Sequence, residues 1–123
     1  MVHLDTNFLI QALVAASAPE AKLVGWMPSG EQTSISTIAW SEFLCGPLSS
    51  QDEALARSFL TAPETFLAQD ARRAADLFNV TGRRSRSLAD CQIAAVALRL
   101  GARLATTNVA DFAPFQAHGL HLA

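Results

Sequence analysis

Along most of this chain, short apolar runs that read as strands are set apart by helical segments, and that alternation limits the fold more than any other feature. Residues 2–5 read as a strand, followed by helices over 7–16 and 19–27. "TSIS" (33–36) is a second short strand, with helices over 37–46 and 50–61 behind it. "ETFLA" (64–68) alternates like a strand, and helices over 70–81 and 88–100 come next. "RLAT" (103–106) and "GLHL" (119–122), joined by a turn, complete the order. The punctuation agrees: Pro19 suits a first helical turn, Gly46-Pro47 and Gly101 suit helix ends, and Ser50 with Glu53 three residues on has capping-box spacing. Strands joined through helical crossovers pair in parallel. The expectation is therefore one α/β domain over 1–123, with a mostly parallel sheet of about five strands covered on both faces. At 123 residues, half of them apolar, the chain is long enough to bury such a core.

Parallel sheets carry their sites at the carboxyl ends of the strands, and several acids fall there. In "VHLDTN" (2–7) an apolar strand runs straight into Asp5. A helix N-cap accounts for an acid at that place, but three further acids share the oddity. Glu42 has Ile38, Ala39 and Cys45 as helical neighbours, an apolar face that points the acid inward or along its edge. Asp90 opens the helix "LADCQIAAVALRLG". Arg99 lies half a circle away from it, so Asp90 shares the face of Ile93, Ala94 and Ala97, which should pack on the sheet. The helix dipole favours an acid in this first turn, with Ser87 as the cap, but does not explain the buried face. Asp111 follows a strand, in a short turn that Asn108 can cap.

Each of these acids follows a different strand or begins the helix after it, so the four converge on one edge. Carboxylates gathered in a partly desolvated pocket repel one another, and some stay protonated unless a cation is present. Oxygen ligands suit a hard divalent ion, Mg²⁺ or Mn²⁺, which could polarise a phosphoryl group and activate a water. Zinc is disfavoured, because His118-x-x-His121 offers only two ligands, on the final strand.

A net charge of −2 gives no overall basic field, so any nucleic-acid contact has to come from a local patch. Five of the nine Lys and Arg residues cluster at Arg72, Arg73, Arg83, Arg84 and Arg86, and "GRRSRS" precedes the Asp90 helix. A solvated helix end and turn accounts for such cations, and the arginines of that stretch could instead clamp phosphates beside the acids. Trp26, Trp40 and the seven phenylalanines read as core and offer no base-stacking platform. Cys45 and Cys91, without metal or redox spacing, read as small core residues in a reducing compartment. "AASA" imitates a signal cleavage site, but no Lys or Arg precedes it and Asp5 interrupts the apolar run. No stretch approaches the ~20 apolar residues of a membrane span. The expected location is the cytoplasm, with no membrane association.

The stretches "HLDTN" (3–7), "TIAWSEFLCG" (37–46), "LADCQIAAVAL" (88–98) and "ATTNVADF" (105–112) together resemble the PIN-domain family, in order and spacing over nearly the whole chain. Within it the chain is similar to the small stand-alone VapC-type toxins of bacterial toxin–antitoxin pairs. The resemblance implies a three-layer α/β/α fold and a Mg²⁺- or Mn²⁺-dependent endoribonuclease. It also implies a cognate antitoxin and a homodimer. By position, Asp5, Glu42, Asp90 and Asp111 match the family's acidic metal-binding quartet, and Thr6, Asn7 and Asn108 match polar residues that support it. Arg83, Arg84 and Arg86 are the candidate RNA-binding residues. The chain departs from the family in its arginine-rich stretch before Asp90 and in a tail that stops at Ala123, which weakens the expectation of a C-terminal dimer contact. Two other classes compete. A phosphoaspartate pocket wants a lysine near the acids and an acid where Asn7 stands, whereas the only lysine is Lys22 in an early helix. A catalytically silent PIN-like module acting through a DNA-binding partner would have no need of all four acids.

Overall fold

Val2–Leu4 (β1), Thr33–Ile35 (β2) and Arg103–Ala105 (β3) form one parallel sheet in the order β2-β1-β3. The computed structural model describes residues 1–84 and 87–123. All three residues of β1 and of β2 are buried. Successive strand residues point to opposite faces, so both faces are covered, as the alternation of elements requires. The covering helices are α1 (Thr6–Ala12), α2 (Ala18–Trp26), α3 (Thr37–Leu44), α4 (Ser50–Phe59), α5 (Ala68–Val80), α6 (Leu88–Leu100) and α7 (Val109–Phe112), with a 3-10 turn over Ala113–His118. Helix α1 packs on α2 and α3, and α5 packs on α6. The result is the expected α/β fold, helices flanking a parallel sheet.

The sheet has three strands rather than about five. "ETFLA" contributes a single bridge, Glu64 to Ser36. Beyond it the Phe66 amide donates to the Thr37 hydroxyl (3.2 Å) and the Leu67 amide to the Asp70 carboxylate (2.9 Å). Side chains thus take the donors that a longer ladder would use, and α5 begins at once. "GLHL" likewise gives one bridge, Leu122 to Leu104. The expected turn before it is α7 plus the 3-10 turn. Gly119, at φ +102°, ends that turn, and the Leu120 amide bonds back to Phe115.

The core side chains include Leu4, Phe8, Ile35, Phe43, Ile93, Leu104, Phe112 and Phe115. Ile93, Ala94 and Ala97 are all buried, as the helical phase of α6 predicts. None of the nine aromatic residues is fully exposed. Cys91 is buried, but Cys45 is exposed. It caps the C-terminus of α3, about one turn beyond the exposed Glu42 and on the same side, which leaves it outside the core. The cap of α4 is Ser49, one residue earlier than expected, accepting from the Asp52 amide at 3.1 Å.

Two polar clusters lie inside the molecule. His3 is fully buried on the face of β1 opposite Val2 and Leu4. Its Nδ1 bonds Ser34 Oγ at 2.8 Å, while Nε2 has no partner. Desolvation, and to a lesser degree the charge of Arg99, depress its pKa to about 4, so it is neutral. Asp70, also buried, accepts from Arg99 Nε at 2.9 and 3.1 Å and from the Leu67 amide.

Candidate active site

The three strands end at one level. Leu4 is in register with both Ile35 and Ala105, so the next residues, Asp5, Ser36 and Thr106, share the carboxyl edge of the sheet. Asp5 is 3% exposed and does cap α1, with Oδ1 accepting from the Phe8 amide at 2.7 Å. Its Oδ2 accepts from the Thr106 hydroxyl. Thr106 Oγ1 in turn accepts from the Asn108 amide (2.9 Å), and the Asn108 carbonyl accepts from the Asp111 amide (3.0 Å). A chain of hydrogen bonds therefore runs from Asp5 to the segment carrying Asp111. Thr106 was not among the residues expected from sequence. Its only signal is position, a hydroxyl directly after β3 just as Asp5 directly follows β1.

Glu42 sits on the outer border of α3, exposed rather than pointing inward, and Oε1 accepts from Thr6 Oγ1 at 2.9 Å. Asp90 is half-buried in the first turn of α6, and Asp111 is exposed on α7. Asn7 is exposed on the first turn of α1, and Asn108 is half-buried at the start of α7. Neither of the expected caps forms. Ser87 Oγ donates to the Arg84 carbonyl (2.8 Å) instead of capping α6, and no side chain caps α7.

The four acids feel one another. Desolvation raises the pKa of Asp5 despite the hydrogen bonds from Thr106 and Phe8, with Glu42 and Asp111 adding to the rise. Asp90 is pushed up to about 6, first by desolvation and then by the charges of Asp111, Asp5 and Glu42. No Arg or Lys pairs with any of the four among the described residues.

Beside Asp90 and Asp111 opens a cavity of about 660 Å³, also walled by Thr81, Arg84, Ser87 and Pro114. Arg84 reaches it through an unusual turn. Gly82 (φ +101°) and Arg83 (φ +58°) are both left-handed, a conformation that costs an arginine roughly 1–2 kcal/mol. The Arg84 carbonyl then accepts from both the amide and the hydroxyl of Ser87, which ties it to the start of α6. Arg83 is exposed outside the cavity lining, and Arg86 lies outside the described residues. Arg72 pairs with Asp76 and Arg73 donates to the His118 carbonyl. They lie in the first half of α5, with Arg72 roughly 12 Å from the end of the helix. The arginine cluster is therefore split between the two ends of α5.

The donor chemistry fits a hard cation: oxygen ligands, excess negative charge and, among the described residues, no ion pair to neutralise it. Among the described residues, no three His, Cys, Asp or Glu side chains are gathered tightly enough to hold an ion unaided. Water or phosphate oxygens would have to complete its shell. The described residues include no helix long and apolar enough to cross a membrane.

No curated protein sequence matches the chain. Several solved structures do. A toxin–antitoxin complex from Klebsiella pneumoniae is similar at 28% identity and TM-score 0.75, over 92% of this chain and 91% of that one. VapBC2 from Rickettsia felis, bound to a DNA fragment from its promoter, is similar at 20% identity and TM-score 0.75, over 100% of this chain and 98% of that one. VapBC-1 from nontypeable Haemophilus influenzae is similar at 22% identity and TM-score 0.70, over 100% and 97%. The family model for the PIN domain matches residues 2–114, from the first strand past the last of the four acids. The chain belongs to the PIN-domain family.

Proposed function

We propose that this PIN domain is a divalent-metal-dependent endoribonuclease and the toxin of a toxin–antitoxin pair, with Asp5, Glu42, Asp90 and Asp111 as its metal-binding acids. PIN domains are generally nucleases. The observation that carries the reading is the uncompensated charge at the sheet edge: the pKa of Asp5 and of Asp90 is raised, and no Arg or Lys pairs with either among the described residues. Mg²⁺ or Mn²⁺ bound there would supply the missing charge, polarise a phosphoryl oxygen and lower the pKa of an attacking water.

The protein's own part is positioning. The Phe8 amide and the Thr106 hydroxyl fix Asp5, and Thr6 fixes Glu42. Asn7 and Asn108 supply polar support along the same edge. Arg83, Arg84 and Arg86 hold the phosphates of a single-stranded or loop RNA. In-line attack by water leaves a 5′-phosphate and a 3′-hydroxyl.

A structural neighbour named as a toxin–antitoxin complex, beside the VapBC2 and VapBC-1 structures, supports a cognate antitoxin as partner. The simplest inhibitor inserts an Arg or Lys among the four acids and displaces the cation. A homodimer acting in the cytoplasm completes the reading.

The test is cleavage of single-stranded RNA by the purified protein in Mn²⁺ and in EDTA. Cleavage should require Mn²⁺ and fall at least about a hundredfold in Asp90→Asn, with the fold intact. Full activity in EDTA or in that variant overturns the assignment. A wild-type protein silent in Mn²⁺ that still joins a DNA-binding partner would favour the binding-module reading.

A further inference from the structure

We infer that the cavity beside Asp90 and Asp111 is a subsite for one unpaired ribonucleotide, held through its phosphate by Arg84 and through its 2′-hydroxyl or base N–H by Ser87 and Thr81. The inference rests on the nuclease reading for what lies at the acids, and it adds how the strand is selected. Size comes first. About 660 Å³ falls within the range of small-molecule sites and suits one nucleotide, not a duplex, whose paired bases cannot enter such a space.

The polarity of the walls then fixes the orientation. Arg84 makes no ion pair among the described residues, and its guanidinium offers only donors. The two hydroxyls have the opposite character. Ser87 Oγ donates its proton to the Arg84 carbonyl at 2.8 Å, and Thr81 Oγ1 donates to the Leu77 carbonyl at 2.7 Å. With their protons so engaged, the two hydroxyls can act as acceptors towards a ligand in the cavity that these residues line. Lone pairs repel phosphate oxygens and accept from a ribose hydroxyl or a base amine. A phosphate accordingly goes to Arg84, and the sugar edge goes to Ser87 and Thr81. The 2′-hydroxyl is the group that distinguishes RNA from DNA at such a place.

Two hydrogen bonds tie the Arg84 carbonyl to Ser87 at the head of α6, the helix whose first turn carries Asp90. The spacing between the phosphate on Arg84 and the neighbouring one at the acids is set by that helix start. The left-handed Gly82–Arg83 turn brings the chain to it.

The experiment is equilibrium titration of the whole protein with adenosine 3′,5′-bisphosphate and its 2′-deoxy form. It is carried out in EDTA, so that the result does not depend on metal-supported cleavage. The wild type should bind the ribose form about three- to tenfold more tightly, as one hydrogen bond to the 2′-hydroxyl allows. Ser87→Ala and Thr81→Val should bring that ratio towards one. Arg84→Ala should weaken both ligands about tenfold and keep the ratio, and Arg84→Lys should recover part of the loss. Thermal melts confirm that each variant is folded. A wild-type ratio of one, or variants that bind as the wild type does, overturns the subsite. Variants that bind both nucleotides normally but lose affinity for a protein partner assign the cavity to that partner and overturn it equally. The predicted binding pattern in a protein that cuts no RNA would keep the subsite and remove the catalytic reading.

Discussion

Asp5 and Asp70 are almost equally buried, at 3% and 1% exposure, yet their surroundings are opposite. Asp70 faces Arg99, whose Nε reaches both carboxylate oxygens and whose Nη2 donates to the Thr65 carbonyl. Among the described residues Asp5 receives only neutral donors, Phe8 N–H and the Thr106 hydroxyl, and it sits in the field of Glu42 and Asp111. A buried charge with its counter-charge supplied by the chain is structural. A buried charge without one is a standing cost that a protein keeps where something else is to bind. Burial alone therefore does not separate the two roles, but the missing partner does.

The sharpest way to break this contrast is to remove a charge from each region. Arg99→Leu leaves Asp70 buried and unpaired, and should cost about 3–5 kcal/mol of stability by denaturant titration. Asp5→Asn should cost little or even stabilise, because Asn still caps α1 and the mutual repulsion is relieved. Comparable losses in both variants would mean that the four acids are as well compensated as Asp70.

Acid provides the next test, because His3 titrates with the opposite sign to Asp90, and to Asp5 whose pKa burial also raises. His3 titrates at 6.5 when unfolded and at about 4 when folded. The stability tied to its neutral form is complete above pH 6.5 and is lost as pH falls to 4, about 3 kcal/mol in all. The pKa of Asp90 is raised from 3.8 to about 6, so its penalty is present above pH 6 and is relieved as pH falls towards 3.8. Half-exposed, Asp90 gives the smaller effect. Denaturation midpoints should thus fall between pH 6.5 and 4 in the wild type, and fall further in Asp90→Asn. A midpoint that rises through this range would show that His3 does not govern it.

The smallest effect expected is also the most direct. Mn²⁺ in excess should raise the melting temperature of the wild type by a few degrees through binding to the folded state alone. Asp90→Asn should lose the rise, and Arg99→Leu should keep it from its lower starting point. Equal rises in wild type and Asp90→Asn would place the ion elsewhere.

The two regions were also unequally legible in the sequence. Asp5 stands directly after β1, Asp111 lies in the short helix α7 that follows β3, and Asp90 falls on the buried phase of α6. Periodicity alone therefore brings them to one edge. The partnership of Asp70 with Arg99 spans 29 residues and leaves no local trace, although helical phase did place Arg99 away from Asp90. Thr106 escaped because a threonine beside a strand is ordinary unless the facing acid is known. The sheet came out shorter than expected for a related reason. Thr37 and Asp70 take the amides of Phe66 and Leu67, and no strand pattern reveals that competition. Cys45 has core-like chemistry, but its position on the side of α3 that carries Glu42 decides its exposure.

β1 lies in the middle of the sheet, between partners 31 and 101 residues away along the chain. That placement has a consequence for the order of assembly. During synthesis β1 emerges long before its second neighbour, which lies 101 residues further along the chain with the Thr106 hydroxyl directly behind it. Long-range parallel pairing is slow, because most of the chain must be ordered before the final contact forms. Asp5 therefore waits, its hydrogen bonds incomplete, until Arg103–Ala105 arrives and brings Asp111 with it. A chain that stops short of β3 cannot carry the finished edge, so whatever chemistry belongs to that edge switches on only once β3 and the Asp111 segment have been made.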